Sequence, residues 1–138
     1  MVSGPLGFTV ETTRGVDEVD HSVRECLAKE GFGVLTEIDV RATLQAKLGV
    51  DFRPYRILGA CNPSLAYQAL STESMVGLLL PCNVVVEATA DGTRVGFLDP
   101  IALLGLASND RLRPIAEEAA SKLASAAKAL EASLSARQ

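Results

Sequence analysis

Two stretches in the middle of the chain determine the predicted fold: RPYRILGACNP at residues 53–63 and GLLLPCNVVVE at residues 77–87. Each contains a short apolar run next to a Cys-Asn pair, Cys61-Asn62 in the first and Cys82-Asn83 in the second. Apolar runs of this length, bounded by turn residues, predict strands. Asn62 followed by Pro63 predicts that a helix begins after the first strand, because Asn is a good N-cap and Pro suits the first helical position.

The second stretch continues into a predicted β-hairpin, because Asp91-Gly92 is a strong signal for a two-residue turn. That turn pairs Ala88 with Val95, and the next inward pair is Val86 with Phe97. The outward face of the hairpin mixes apolar and charged side chains, so we expect it to be partly wet or covered by a partner chain: Val85, Glu87, Arg94 and Leu98.

The flanking segments supply further strands and two long helices. Residues 6–12 alternate as a strand with Leu6, Phe8 and Val10 on one face, while residues 1–5 are expected to be partly disordered. Helical spacing predicts a helix at residues 16–30, with Asp17 as its N-cap, Gly31 as its C-cap and Cys26 on its core face.

The remaining segments complete a mixed pattern. They are a strand at 33–38, a short helix capped by Asp39, a strand at 53–60, an undecided segment at 77–80 and a long helix at 111–134. The order β-α-β-(α)-β-(α)-β-β-α predicts an α+β fold, in which an antiparallel sheet carries the two longer helices on one face.

Composition narrows the class of protein. The chain has 138 residues, 48% of them hydrophobic, and a net charge of −4, so we expect one domain with a real core and no electrostatic attraction to nucleic acid. No signal peptide or membrane-spanning run is visible. Three cysteines, an odd number, favour free thiols in the reducing cytoplasm.

The predicted sheet brings the chemically distinctive residues to one edge. If the strands ending at Cys61 and starting at Cys82 are antiparallel neighbours, both Cys-Asn pairs share a rim, and the returning hairpin adds Asp99. Candidate ligand-binding residues are therefore Cys61, Asn62, Cys82, Asn83 and Asp99, with Arg56 on the neighbouring strand able to reach an anion. A purely structural role for both pairs stays open, since Cys is often buried and Asn commonly caps helices.

Catalytic chemistry has weaker support. Cys61 precedes a helix N-terminus, whose dipole favours a thiolate, so thiol redox or nucleophilic catalysis stays open. His21 lies on a polar helix face away from the cysteines, which argues against a Cys-His pair. Cys61, Cys82 and Asp99 offer at most three ligands for zinc, and no cofactor motif is present, so neither metal nor cofactor is expected.

The motifs GFGVLTEIDV (31–40), ILGACNP (57–63), LLLPCNVVV (78–86) and Asp99-Pro100 together resemble a family catalogued as domain of unknown function 302. The resemblance covers roughly residues 8–130. It implies a small α+β fold, β-α-β₄-α, related to the TATA-box-binding-protein-like group, and a tendency to form homodimers. It implies no activity, and a shared architecture does not license DNA binding.

Three functions therefore stay open from the sequence. The first, which we favour, is a homodimeric module that binds a small molecule or an anion at the Cys-Asn rim. The second is a thiol enzyme or redox sensor that uses Cys61 or Cys82. The third is a homodimeric interaction protein without a pocket.

Overall fold

A six-stranded antiparallel sheet forms the centre of the structure, a computed structural model that describes residues 1–136. The strands are β1 Val2–Ser3, β2 Gly7–Thr12, β3 Gly33–Asp39, β4 Tyr55–Cys61, β5 Cys82–Ala88 and β6 Thr93–Leu98. They lie in the order β1-β2-β6-β5-β4-β3, with antiparallel neighbours throughout. The helices are α1 Val16–Lys29, α2 Val40–Leu48, α3 Pro63–Thr72, α4 Pro100–Leu104 and α5 Arg113–Ala136, and 3₁₀ turns occupy Ser74–Leu79, Gly105–Ala107 and Asp110–Leu112.

The two longest helices pack on one face of the sheet, which confirms the predicted α+β arrangement. Val23 and Leu27 of α1, together with Leu123 and Leu130 of α5, are fully buried in the same core as Val86 of β5. Burying a side chain of this size stabilises the fold by about 1.5–3 kcal/mol. Cys26 lies in this core, as its helical spacing predicted. We call the opposite face of the sheet, turned away from α1 and α5, the open face.

The ends of α1 differ from each other in how they are capped. The C-terminus follows the prediction: Gly31 is left-handed, its N–H donates to the Ala28 carbonyl, and the Phe32 N–H donates to the Leu27 carbonyl. The predicted N-cap, Asp17, is wrong. Gly15 precedes the helix and makes no side-chain cap, while Asp17 lies in the first turn, where its carboxylate pairs with Arg56.

The hairpin forms as predicted, but its predicted register is wrong by two residues. Ala88 pairs with Thr93, because Gly92 lies at the base of the loop and not at its tip. There the Gly92 N–H donates to the Thr89 Oγ1 over 3.1 Å, and the Thr89 N–H donates to the Gly92 carbonyl over 2.9 Å. A shift of two residues preserves the alternation of a strand, so Val86 still faces the core.

The N-terminal segment contains a short strand, whereas the sequence predicted partial disorder for residues 1–5. Val2–Ser3 forms the edge strand β1, where Val2 pairs with Thr9. Leu6 is 82% exposed and does not join Phe8 and Val10 on the core face, because β2 begins only at Gly7.

Gly92 provides a test of the hairpin geometry. A Cβ at this position would lie 2.1 Å from the Thr12 carbonyl oxygen, whereas one at Gly105 would meet nothing within 4 Å. We expect Gly92→Ala to destabilise the protein by about 1–3 kcal/mol, as overpacking against a rigid neighbour does. Gly105→Ala serves as the matched control and should leave the free energy of unfolding equal or slightly higher. Equal urea midpoints for the two variants would contradict this packing.

Candidate functional site

A cavity of about 280 Å³ lies at the end of the sheet, where β4 ends and β5 begins. Cys61, Asn62 and Cys82 all line this end cavity. The rest of its wall is apolar except for Thr36, and comes mostly from α3, α4, α5 and the segments that flank them: Phe32, Leu35, Ala60, Leu65, Ala66, Ala69, Leu70, Leu80, Pro81, Pro100, Leu104, Ile115 and Ala119. No charged side chain lines it among the described residues.

Strand pairing explains why the two cysteines meet. β4 and β5 are antiparallel, and Ala60 pairs with Cys82, so the last residue of β4 lies beside the first residue of β5. Gly59 allows this end of the sheet to close tightly. A Cβ on Gly59 would lie 2.2 Å from the Thr36 Oγ1 and 2.8 Å from the Pro81 Cγ.

Asn62 has both ends of its carboxamide occupied. Its Oδ1 accepts a hydrogen bond of 3.2 Å from the Leu65 N–H, which caps the N-terminus of α3. Its Nδ2 donates over 3.3 Å to the Glu30 carbonyl at the C-terminus of α1. Asn62 therefore joins two helix ends at the edge of the cavity, and both hydrogen bonds of its carboxamide stabilise the fold.

Both cavity thiols are stabilised in the protonated form. Burial raises the pKa of the Cys61 thiol. Burial, and secondarily the neighbouring Cys61, raise the pKa of the Cys82 thiol to about 11. The expectation that the α3 N-terminus favours a Cys61 thiolate is therefore wrong in direction. Desolvation by burial is the cause of the raised pKa, and Asn62 already accepts the hydrogen bond of one free N–H at this helix end.

The other predicted ligand-binding residues lie outside the end cavity. Asn83 lies on the open face, because successive strand residues alternate and Cys82 faces the helices. The Asp99 carboxylate caps α4 by accepting from the Ile101 N–H over 3.0 Å. Arg56 lies near the opposite end of β4, where it pairs with Asp17 and Asp20 of α1 and its pKa is raised, chiefly by Asp17.

Sequence reasoning missed most of the cavity wall. Leu65, Ala66, Ala69 and Leu70 follow helical spacing after Pro63, and that apolar stripe is the available signal that α3 covers something. The contribution of Ile115 and Ala119 from α5 carries no comparable signal, since a core stripe and a cavity wall have the same pattern.

Metal binding and histidine chemistry have little support among the described residues. Within residues 1–136, no three His, Cys, Asp or Glu side chains are placed to hold a metal ion. The side chain of His21 is exposed on α1 and lies 3.4 Å from the Glu25 carboxylate, outside the cavity. No helix within that same range is long and apolar enough to cross a membrane.

The fold and the end cavity define a small α+β protein with one helix-covered sheet face and an apolar cavity at the sheet end. The chain belongs to the family described as domain of unknown function DUF302, whose family model matches residues 8–130. A crystal structure of an uncharacterized conserved DUF302 protein from Bacillus stearothermophilus is similar to it, with 35% identity and a TM-score of 0.84. That match covers 91% of this chain and 98% of the other. No curated protein matches.

The raised pKa of Cys82 predicts a pH-dependent stability. Well below pH 9.0 the thiol is protonated in the folded and the unfolded chain, so it has no effect on stability there. Between pH 9 and about 11 the unfolded chain loses this proton while the folded chain keeps it, so folding becomes less favourable. We expect wild type to lose about 2–3 kcal/mol more than Cys82→Ala across this window in urea denaturation.

All other titratable groups are present in both proteins, so their contributions cancel in the comparison. Cys61→Ala is the comparison variant, since it removes the other cavity thiol and leaves Cys82 in place. It should keep most of the loss seen in wild type, because burial is the larger cause of the raised Cys82 pKa and Cys61 the smaller. Parallel pH profiles for wild type and Cys82→Ala would contradict burial of the Cys82 thiol.

Proposed function

We propose that this protein is a binding module for a small, largely apolar molecule held in the end cavity. The observation that carries the proposal is the chemistry of the cavity wall: it is almost entirely hydrocarbon, with two protonated thiols, one carboxamide and the Thr36 side chain. At about 280 Å³ the cavity is close to the lower end of the range of about 300–1,000 Å³ typical of small-molecule sites. A compact aliphatic or monocyclic ligand fits this volume.

The wall argues against an anion, the other ligand class that the sequence suggested. Arg56, the arginine predicted to reach an anion, is engaged with α1, and Arg53, which precedes β4, is engaged with Glu87. Asn62 caps α3 and so occupies the N–H group of Leu65. An anion entering the cavity would lose its hydration without gaining a countercharge, which is strongly unfavourable.

Thiol catalysis has less support than binding. A nucleophilic or redox cysteine acts as the thiolate, and the two cavity thiols have raised pKa values. We therefore assign Cys61 and Cys82 to the wall of a binding site, where a thiol behaves as a small, polarisable apolar group.

The proposal retains two further expectations from the sequence. Homodimer formation is expected from the family resemblance, and three free thiols fit a reducing, cytoplasmic location.

The order of the core elements, β2-α1-β3-β4-β5-β6-α5, is that of a β-α-β₄-α fold. Kinship with the TATA-box-binding-protein-like group stays a hypothesis and implies no nucleic-acid binding.

Calorimetric titration with three probes tests the proposal: an aliphatic alcohol, a monocyclic hydrocarbon and inorganic phosphate. We expect saturable binding of one or both apolar probes with a negative heat-capacity change, and none of phosphate. Ala66→Leu adds a side chain to the partly exposed wall of α3 and should weaken binding at least tenfold. Ala129→Leu, on the exposed side of α5, is the matched control and should bind as wild type does.

Two results would overturn this function. One is binding of phosphate in preference to both apolar probes. The other is equal affinity of the Ala66→Leu variant and wild type for the apolar probe, which would place that probe outside the end cavity.

A further inference from the structure

A second cavity, of about 420 Å³, lies on the open face of the sheet. Residues 2–9, which run from β1 into β2, form one side of it, and Tyr55 of β4 lies at the opposite side. Between them, residues of β6 and β5 form the floor, with Gly96 and Val85 at its centre. We call this space the open-face cavity. It shares no lining residue with the end cavity, so the two are separate spaces.

Gly96 gives the open-face cavity its depth. Its cross-strand neighbours are Thr9 on β2 and Val85 on β5, and both of these carry side chains. A Cβ at Gly96 would meet nothing closer than the Val85 Cβ at 3.9 Å, so the backbone is bare at a place where a side chain would fit. Glycine weakens a strand interior, and there it often marks the close approach of a ligand or another backbone. A bare, flat floor of this kind suits the face of a planar ring.

Backbone hydrogen bonds fix the side of the cavity that residues 2–6 form. β1 pairs with β2, the Gly4 N–H donates to the Gly7 carbonyl over 2.7 Å, and the Asp99 N–H donates to the Leu6 carbonyl over 3.1 Å. Leu6 lines the cavity and is 82% exposed. An apolar side chain that is held in place and exposed contributes to binding through the surface that a ligand buries against it.

One end of the open-face cavity is polar but carries no net charge. The Arg94 Nε–H donates to the Glu87 carboxylate over 3.2 Å, and the Arg94 Nη1 lies 3.5 Å from the Glu11 carboxylate. Arg53 lies 2.9 Å from the other oxygen of Glu87, so two cations balance two anions. A guanidinium has five N–H donors, so Arg94 keeps donors for a ligand. A neutral acceptor such as a carbonyl oxygen suits this end, because a further carboxylate would lie beside two existing ones.

The other end of the cavity offers a carboxamide. The Asn83 side chain is exposed and makes no hydrogen bond to another residue within 1–136, whereas both ends of the Asn62 carboxamide are engaged. Asn83 and Glu87 lie on opposite sides of Val85 along β5, about 14 Å apart at a rise of about 3.4 Å per residue. That span, less the length of the Asn83 and Arg94 side chains, suits a single ring with a polar group at each end.

We propose that the open-face cavity is a second binding site, which takes a flat, neutral aromatic amide or a similar carbonyl-bearing ring. The ring lies on Gly96 and against Val85. Its carbonyl oxygen accepts a hydrogen bond from Arg94, and a polar group at the opposite end of the ring bonds to Asn83. The site does not use the end cavity, so failure of either proposal leaves the other standing.

Calorimetric titration with 4-hydroxybenzamide tests this site, and we expect saturable binding by wild type. Gly96→Val fills the floor without a clash, so it should weaken binding at least about tenfold and leave the urea midpoint equal or higher. Asn83→Ala removes the carboxamide at an exposed position and should weaken binding about threefold to tenfold, as loss of one hydrogen bond does. Ala66→Leu, in the wall of the end cavity, is the matched control and should bind this probe as wild type does.

Two comparison probes examine the polar end of the cavity. 4-Hydroxybenzoate replaces the neutral amide with a carboxylate, and 4-methylphenol removes the carbonyl group. Each should bind wild type about tenfold more weakly than the amide does, since the first repels the two carboxylates and the second loses the hydrogen bond from Arg94.

Three results would each overturn this site: no saturable binding of 4-hydroxybenzamide, unchanged affinity in folded Gly96→Val or in Asn83→Ala, or tighter binding of the carboxylate than of the amide. Loss of binding in Ala66→Leu alone would locate the probe in the end cavity. That result would overturn the second site and support the first.

Discussion

The antiparallel pairing of β4 with β5 is the constraint on which the rest of the structure depends. It places the end of one central strand beside the start of the other, with Ala60 opposite Cys82. The two segments that follow and precede this point, α3 after Cys61 and the turn before Cys82, must therefore leave the sheet at the same end. The space between them and α5 becomes the end cavity, so the cavity is a consequence of strand order more than of any motif.

Much of the architecture could be predicted from local sequence, because local interactions determine it. Asn62-Pro63, Asp39 and Gly31 each act through a hydrogen bond or a backbone conformation within a few residues, and each occupies the predicted position. The predictions of an N-cap at Asp17 and of a two-residue turn at Asp91-Gly92 were wrong, because residues distant in sequence contact both positions. Arg56 on β4 pairs with Asp17, and the backbone of Thr12 and Thr13 lies against Gly92.

The candidate site was predictable only in part, for a related reason. Strand pairing brings Cys61 and Cys82 to one place, and that pairing could be inferred from the apolar runs. The character of the site depends on its wall, and the wall comes from helices that are separate in sequence. An arginine on the same strand suits an anion when the strand is considered alone, yet α1 neutralises Arg56. The pKa of Cys61, expected to be lowered by the helix N-terminus, is raised by desolvation.

The repeated Cys-Asn dipeptide is not a repeated functional unit, because strand geometry separates its two halves. Cys82 faces the helices and the end cavity, so Asn83, one residue later, must face the open side of the sheet. In the first pair the strand ends at Cys61, so the alternation of strand side chains does not extend to Asn62. Asn62 instead caps α3 and binds the end of α1. The same two residue types thus serve a cavity wall, a helix junction and an outer sheet surface. The backbone conformation at each position decides what each side chain contacts, so the two pairs do not share a common function.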